Sequence, residues 1–303
     1  MRTFFTWISL WLCGIWFIIS GFVKVVDPVA FSRKLDEYFH KVFHLPFLEA
    51  YSVGLAMFIS VLEVALGAAM LVGFRMRITA WVTLLLMLYF TFLTGYSAIT
   101  GAVKNCGCFG EAIKFTPKQS FVKDLILMIF VGWIFKQRKE ILPYLKNEVW
   151  VNFTVVIFTV VSGWITIYSY RNLPLIEFHE YKNGNPFPVT GIEKDLSKGN
   201  YLIIILDVKK PIPQWNSLEK LALYEKANYT VIGLSGEVKA EINFFNDVKK
   251  PHFPIYSTDK DLLKTMIRSF PSCVLIKDNV ILRKWGAFHI PTPEQVNKLL
   301  EVG

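Results

Sequence analysis

"LEAYSVGLAMFISVLEVALGAAMLVGFRMR" occupies residues 48–77, and its reading decides the fold class. From 48 to 74 the run is apolar apart from small polar side chains and two glutamates, Glu49 near its start and Glu63 near its middle. That is long enough for a helix to cross a hydrocarbon core of roughly 30 Å. It ends at "RMR", 75–77, where two arginines stand at the end of an apolar run as interfacial anchors do.

Outward from there the pattern recurs. Apolar stretches at 4–26, 78–99, 121–135 and 149–168 give five expected spans with 48–74, and 121–135 is the shortest. The 303 residues are 53% hydrophobic and only 19% charged, less charge than a water-soluble domain carries. The apolar residues crowd into the first half. The net charge of +9 comes from basic residues at the ends of apolar runs. No basic stripe with interleaved aromatics is present, so membrane lipid rather than nucleic acid is the expected partner. Arg2 precedes the first run, but "SGFVKVVDP" (20–28) offers no small-residue cleavage site, so 4–26 reads as a retained helix.

Arg2, "RMR", "KQRK" (136–139) and Lys146 define the cytoplasmic side by the positive-inside rule. Segments 27–47 and 101–120 and everything after Tyr170 then face outward. The 27–47 segment also carries Arg33, Lys34 and Lys41, against Asp27, Asp36 and Glu37. The expected location is the inner (cytoplasmic) membrane, multi-pass, with the C-terminal part on the periplasmic or exterior side.

On that side lies "KNCGCFGE" (104–111), with two of the four cysteines, Cys106 and Cys108. Disulfides persist in such compartments. Cα atoms two residues apart sit about 5.5–7 Å from each other, overlapping the usual disulfide span of roughly 4.4–6.8 Å. Gly107 supplies backbone freedom, and strain in so small a ring raises the reduction potential. An exchanging disulfide, a static one and two idle thiols in a turn all fit the residues. Zinc needs four ligands, and no second cysteine pair exists to supply them.

Ionisable residues inside apolar runs are costly and usually face the bundle interior with a partner. Lys24 and Asp27 at the outer end of the first span, Glu63 in the second and Asp124 at the start of the fourth are expected to form a polar cluster below the cysteines. It would handle protons, bind a polar headgroup or fix helix packing. If Glu63 is paired, leucine in its place is expected to leave the fold largely intact. Cys13 reads as an apolar packing residue.

After about residue 199 the chain alternates strand and helix patterns. "YLIIILD" (201–207) is a continuous apolar run of the kind found in a strand buried on both faces. "YTVIGL", "FPIYST", "PSCVLIK" and "VILRKW" follow as strands, the last two joined at Asp278-Asn279, residues that tolerate the positive φ of a tight hairpin. Helical patterns separate them, and "TPEQVNKLL" closes the chain. Residues 171–198 read as a linker or a partly ordered lead-in to these strands.

The segments "SGFVKVVDP", "LEVALGAAMLVG" and "NCGCFG" together resemble the MauE/DoxX family over about residues 4–135. The resemblance implies a four-helix membrane bundle associated with disulfide formation or quinone-linked oxidation. "SFPSCVLIKDNVILRKW" (269–285) resembles the end of a thioredoxin-like domain, with Pro271 at the position of that fold's cis proline. The dithiol of that fold is missing, since "DVKKPIPQWNSLEKL" (207–221) holds no cysteine. Cys273 reads as a buried strand residue.

The expected architecture is a membrane domain over 1–140, a fifth helix over 141–170, a linker over 171–198 and an exported α/β thioredoxin-like domain over 199–303. The implied activity is that of a thiol–disulfide oxidoreductase. Cys106 and Cys108 would pass oxidising equivalents between an exported partner protein and a membrane carrier such as a quinone. The alternative is a non-enzymatic scaffold whose degenerate thioredoxin-like domain binds an envelope protein.

Overall fold

The computed structural model describes residues 2–103, 115–144, 147–176, 181–188, 196–212 and 214–302. They form two units, 1–170 and 171–303.

The first unit is helical. Its helices are α1 (Arg2–Val26), α2 (Pro28–Tyr38), α3 (Ser52–Val72), α4 (Met76–Thr100), α5 (Pro117–Gln137) and α6 (Glu148–Arg171). Among the described residues four stretches are long and apolar enough to cross a membrane: Phe4–Val26, Phe47–Val72, Met76–Thr100 and Glu148–Arg171. The fourth expected span lies within α5. That helix has 21 residues but carries Lys118, Lys123, Asp124 and Lys136, which keep it out of the apolar set. Its buried positions, Ser120, Asp124, Leu127, Val131, Ile134 and Gln137, form one stripe at helical spacing.

Exposure in this unit is reversed relative to a water-soluble protein. On α1, Phe4, Ile8, Trp11, Ile15, Ile19 and Phe22 form an exposed stripe, while Ser9 and Lys24 are buried. Apolar side chains facing outward around a polar interior suit a lipid solvent. With the four apolar helices, they make this a multi-pass membrane protein.

The 27–47 segment, expected on the outward side, is largely helical. Asp27 caps α2, its side chain accepting from the Ala30 N–H, with Pro28 in the first turn. Pro28, Val29, Ala30, Phe31, Leu35 and Tyr38 are buried. Glu37 pairs with both Lys34 and Lys41, offsetting basic residues that ran against the orientation rule.

α1 packs along α3, and glycines make the approach close. A Cβ on Gly21 would sit 2.9 Å from both the Val64 nitrogen and Glu63 Cβ. One on Gly67 would sit 2.7 Å from the Gly14 carbonyl oxygen. Small residues at membrane helix contacts let backbones pack this tightly. α5 begins with a full capping box between Thr116 and Gln119. It is tied to α1 where Trp133 Nε1 donates to Thr6 Oγ1 at 3.0 Å.

The second unit holds a five-stranded mixed sheet in the order β3-β2-β1-β4-β5. The strands are β1 (Asn200–Leu206), β2 (Thr230–Ser235), β3 (Ile255–Ser257), β4 (Ser272–Lys277) and β5 (Val280–Trp285). β1, β2 and β3 are parallel, and β4 is antiparallel to both β1 and β5. Helices α7 (Trp215–Ala222), α8 (Lys239–Lys249), α9 (Lys260–Met266) and α10 (Pro293–Val302) complete it. Leu202, Ile204 and Leu206 pack with Leu218, Leu221, Val296 and Leu300. Ile203 and Ile205 pack on the other face with Leu263, Met266 and Ile267. Burial on both faces explains the unbroken apolar run of β1. Asp278 and Asn279 turn the β4–β5 hairpin with φ of 47° and 66°.

The linker assigned to 171–198 needs correction. Within it, Pro186 bridges Val280, the Phe187 N–H donates to the Asn279 carbonyl, and Phe187 and Leu196 are core residues. Two buried apolar side chains and backbone pairing make the described residues of this stretch part of the folded unit.

Candidate functional site

Gly21 lies one turn before Lys24 on α1, and Glu63 lies one turn before Gly67 on α3. The close glycine contacts therefore bring these two charged residues face to face. Lys24 and Glu63 are each 1% exposed. Lys24 Nζ donates to Glu63 Oε1 at 2.5 Å, to Oε2 at 2.7 Å and to Ser20 Oγ at 3.0 Å. The Phe31 and Phe90 rings lie 5.0 and 5.1 Å from the ammonium, within cation–π range. Lys24 does not snorkel to the surface. All its donors are directed inward.

A second pair closes the group. Lys123 Nζ lies 2.8 Å from Asp124 Oδ1. Thr94 Oγ1 donates to Asp124 Oδ2 at 2.9 Å. Between the pairs is a cavity of about 30 Å³ lined by residues that include Ser20, Lys24, Glu63, Lys123 and Asp124. That volume holds one or two waters. Two ammonium groups and two carboxylates around a water-sized space can exchange protons without leaving a net charge in the bundle.

Of the four expected cluster residues, Lys24, Glu63 and Asp124 line this cavity. Asp27 is not among the lining residues; it caps α2. Sequence reading missed Lys123, Ser20 and Thr94. Ser20 was findable, standing four residues before Lys24 on the same helical face, whereas Thr94 meets Asp124 only through helix packing. The pairing also changes what is expected of Glu63→Leu. A fully buried, doubly bonded partner leaves Lys24 stranded when its carboxylate is removed.

The glycine contact makes a prediction. Gly21→Val should destabilise the helical unit by about 1–3 kcal/mol, the usual cost of overpacking. Gly132→Ala, where a Cβ meets nothing within 4 Å, should be nearly neutral. Thermal unfolding of the purified protein in detergent would separate the two.

Cys106 and Cys108 lie outside the described residues. The connection that carries them leaves α4 at Gly101 and enters α5 at Thr116. These two helices jointly hold Asp124.

In the second unit the Phe270–Pro271 peptide is cis and leads directly into β4. Cys273 is fully buried, paired with Ile204 of β1 and Trp285 of β5, and burial pushes its thiol up to about 12. At the same sheet edge Glu237, after β2, binds Lys260 after β3 at 2.6 Å and Lys209 after β1 at 2.9 Å. Hydrogen bonds from Lys260 and then Lys209 hold the Glu237 carboxyl near 2, against an ordinary 4.5. A lowered carboxyl pKa stabilises the fold above its unfolded value and ceases to as pH falls to the folded value. Hydrogen-exchange protection of residues 230–260 in the full chain should therefore fall between about pH 4.5 and 2. Glu237→Gln should flatten that dependence.

Residues 1–137 match the model of the MauE family, described as methylamine utilisation protein MauE. The chain is 27% identical to Protein TlpB of Flavobacterium psychrophilum over 205 residues, which cover 64% of this chain and 50% of that protein. The chain thus spans about half the length of this relative. No solved structure matches significantly.

Proposed function

We propose that this protein is an envelope thiol–disulfide redox protein, in which a MauE-like bundle carries the chemistry and an exported thioredoxin-like unit presents the partner. The observation that carries this reading is the position of Cys106-Gly107-Cys108. It lies on the connection between α4 and α5, the helices that hold Asp124 through Thr94 at 2.9 Å.

A partner thiolate attacks the Cys106–Cys108 disulfide, forming a mixed disulfide and freeing one cysteine thiolate. The partner's second thiolate resolves it, leaving the partner oxidised and the Cys106/Cys108 pair reduced. Reoxidation of that pair releases two electrons and two protons. A membrane two-electron acceptor such as a quinone takes both and becomes the quinol. The Lys24, Glu63, Lys123 and Asp124 group gives protons a place inside the bundle. The strand order β3-β2-β1-β4-β5 and the cis Pro271 at the start of β4 support the thioredoxin-like assignment. Its only cysteine, Cys273, is fully buried, so the unit recruits or orients and does not exchange.

The lack of any cysteine in 207–221 favours a second reading, a scaffold that binds an envelope protein through a degenerate thioredoxin-like unit. Both readings place this unit outside the inner membrane. A reporter fused after Gly303 should be active only if it requires export. Activity of a cytoplasm-dependent reporter at that position would invert the orientation and remove the oxidising context from the cysteines.

A further inference from the structure

Three fully buried hydroxyls lie between Asp124 and the outer ends of α4 and α5. Ser120 Oγ on α5 has no hydrogen-bond partner among the described residues, and Tyr38 Oη on α2 and Ser97 Oγ on α4 have none but each other. Their residues are 3%, 1% and 0% exposed. Thr94 meets Asp124, and the Cβ position of Gly95 lies 2.9 Å from the Phe121 ring, so α4 and α5 run antiparallel here. Ser97 is one turn beyond Thr94 toward Gly101. Ser120 is one turn from Asp124 toward Thr116. The two serines therefore share a level, one turn outside the Asp124 carboxylate. Tyr38 lies beside Ser97, within electrostatic reach of Asp124 and Tyr89.

Buried polar groups that find no protein partner are ordinarily matched by ordered water. Ser120 and the Tyr38–Ser97 pair keep unused hydrogen-bonding capacity one turn from a cavity sized for water, and ordered water would satisfy it. An interior made only for packing would fill these positions with alanine, valine or phenylalanine.

We propose that a file of internal water runs from the Asp124 cavity past Thr94, Ser97, Ser120 and Tyr38 to the outer ends of α4 and α5, and that Asp124 exchanges protons along it. The use of the file rests on the redox reading, in which thiol oxidation releases two protons on the α4–α5 connection; its existence does not. A proton delivered along the file binds the Asp124 carboxylate and leaves it as the neutral acid. The reverse step returns the proton, and no electron moves. The ionisable groups around Asp124 are Lys123 on its own helix, Lys24 of α1 and Glu63 of α3 across the cavity, and Tyr38 of α2, which faces Tyr89 of α4.

The test uses the full chain with all four cysteines replaced by alanine and one new cysteine at a time. Ser97→Cys and Ser120→Cys are compared with Ala80→Cys, a fully buried position in the apolar core. A small charged methanethiosulfonate, which needs a hydrated thiolate, should modify positions 97 and 120 at least about tenfold faster than position 80. Equal rates would overturn the proposal. Because Cys106 and Cys108 are absent, the result is independent of the redox reading. A second measurement covers variants that fail to assemble. In the cysteine-containing protein the carboxylate infrared band of Asp124, identified by its loss in Asp124→Asn, should shift in deuterium oxide as the hydrogens it accepts from Lys123 and Thr94 exchange. Replacing both serines by valine should slow that exchange by at least about tenfold, since apolar side chains break a water file. Unchanged exchange in the double variant would also overturn the proposal.

Discussion

Glu63→Leu is expected to cost the bundle about 3–5 kcal/mol, the usual penalty for removing one partner of a buried ion pair. Lys24 would keep a single side-chain hydrogen bond, to Ser20, where it now also holds both carboxylate oxygens of Glu63. The flanking Phe31 and Phe90 rings attract a cation but accept no full charge. Lys24→Met should be as damaging, because it strands the carboxylate. The double variant Lys24→Met/Glu63→Leu should recover most of the loss, since apolar side chains of similar volume replace a buried pair at little cost. Thermal unfolding of the four proteins in detergent gives the coupling directly. If the single and double variants melt alike, the pair is not what joins α1 to α3. Recovered stability without recovered activity would separate a role in proton handling from one in packing.

Cys106→Ser or Cys108→Ser should each trap a covalent adduct with an envelope protein. Exchange passes through a mixed disulfide, and the remaining cysteine has lost the neighbour that would resolve it. The adduct should run as a thiol-reducible band and disappear in the double variant. Cys273 should contribute nothing, because its thiol is fully buried in β4 and held up near 12. Silence from both single variants would remove the direct support for the redox reading. A partner that co-purifies without a covalent bond would then favour the scaffold.

The membrane character was legible in residues 48–77, because crossing a bilayer demands a length of apolar chain that no folding detail can hide. The succession of strands along 199–303 was legible as well. A strand buried on both faces must be apolar throughout, as "YLIIILD" is, and a two-residue turn must tolerate positive φ, as Asp278 and Asn279 do. That Glu63 would need a partner could be read too, since an isolated carboxylate at that depth is costly.

The identity of the partner was settled only in three dimensions. The separation of 39 residues between Lys24 and Glu63 says nothing of contact. The contact depends on Gly21 and Gly67, whose missing side chains let α1 and α3 approach, and a glycine in an apolar run carries no signal of its neighbour. Asp27 was assigned to the cluster by proximity in sequence, whereas the local need of α2 for a cap decided its place. Thr94 entered the site through the antiparallel packing of α4 on α5, and Lys123 as the chain neighbour of Asp124. The sequence alone therefore determined which segments lie in the membrane and which residues could not be buried alone. The tertiary structure decided which charges meet, because pairing depends on helix rotation and separation, and these follow from side-chain fit between elements distant in the chain.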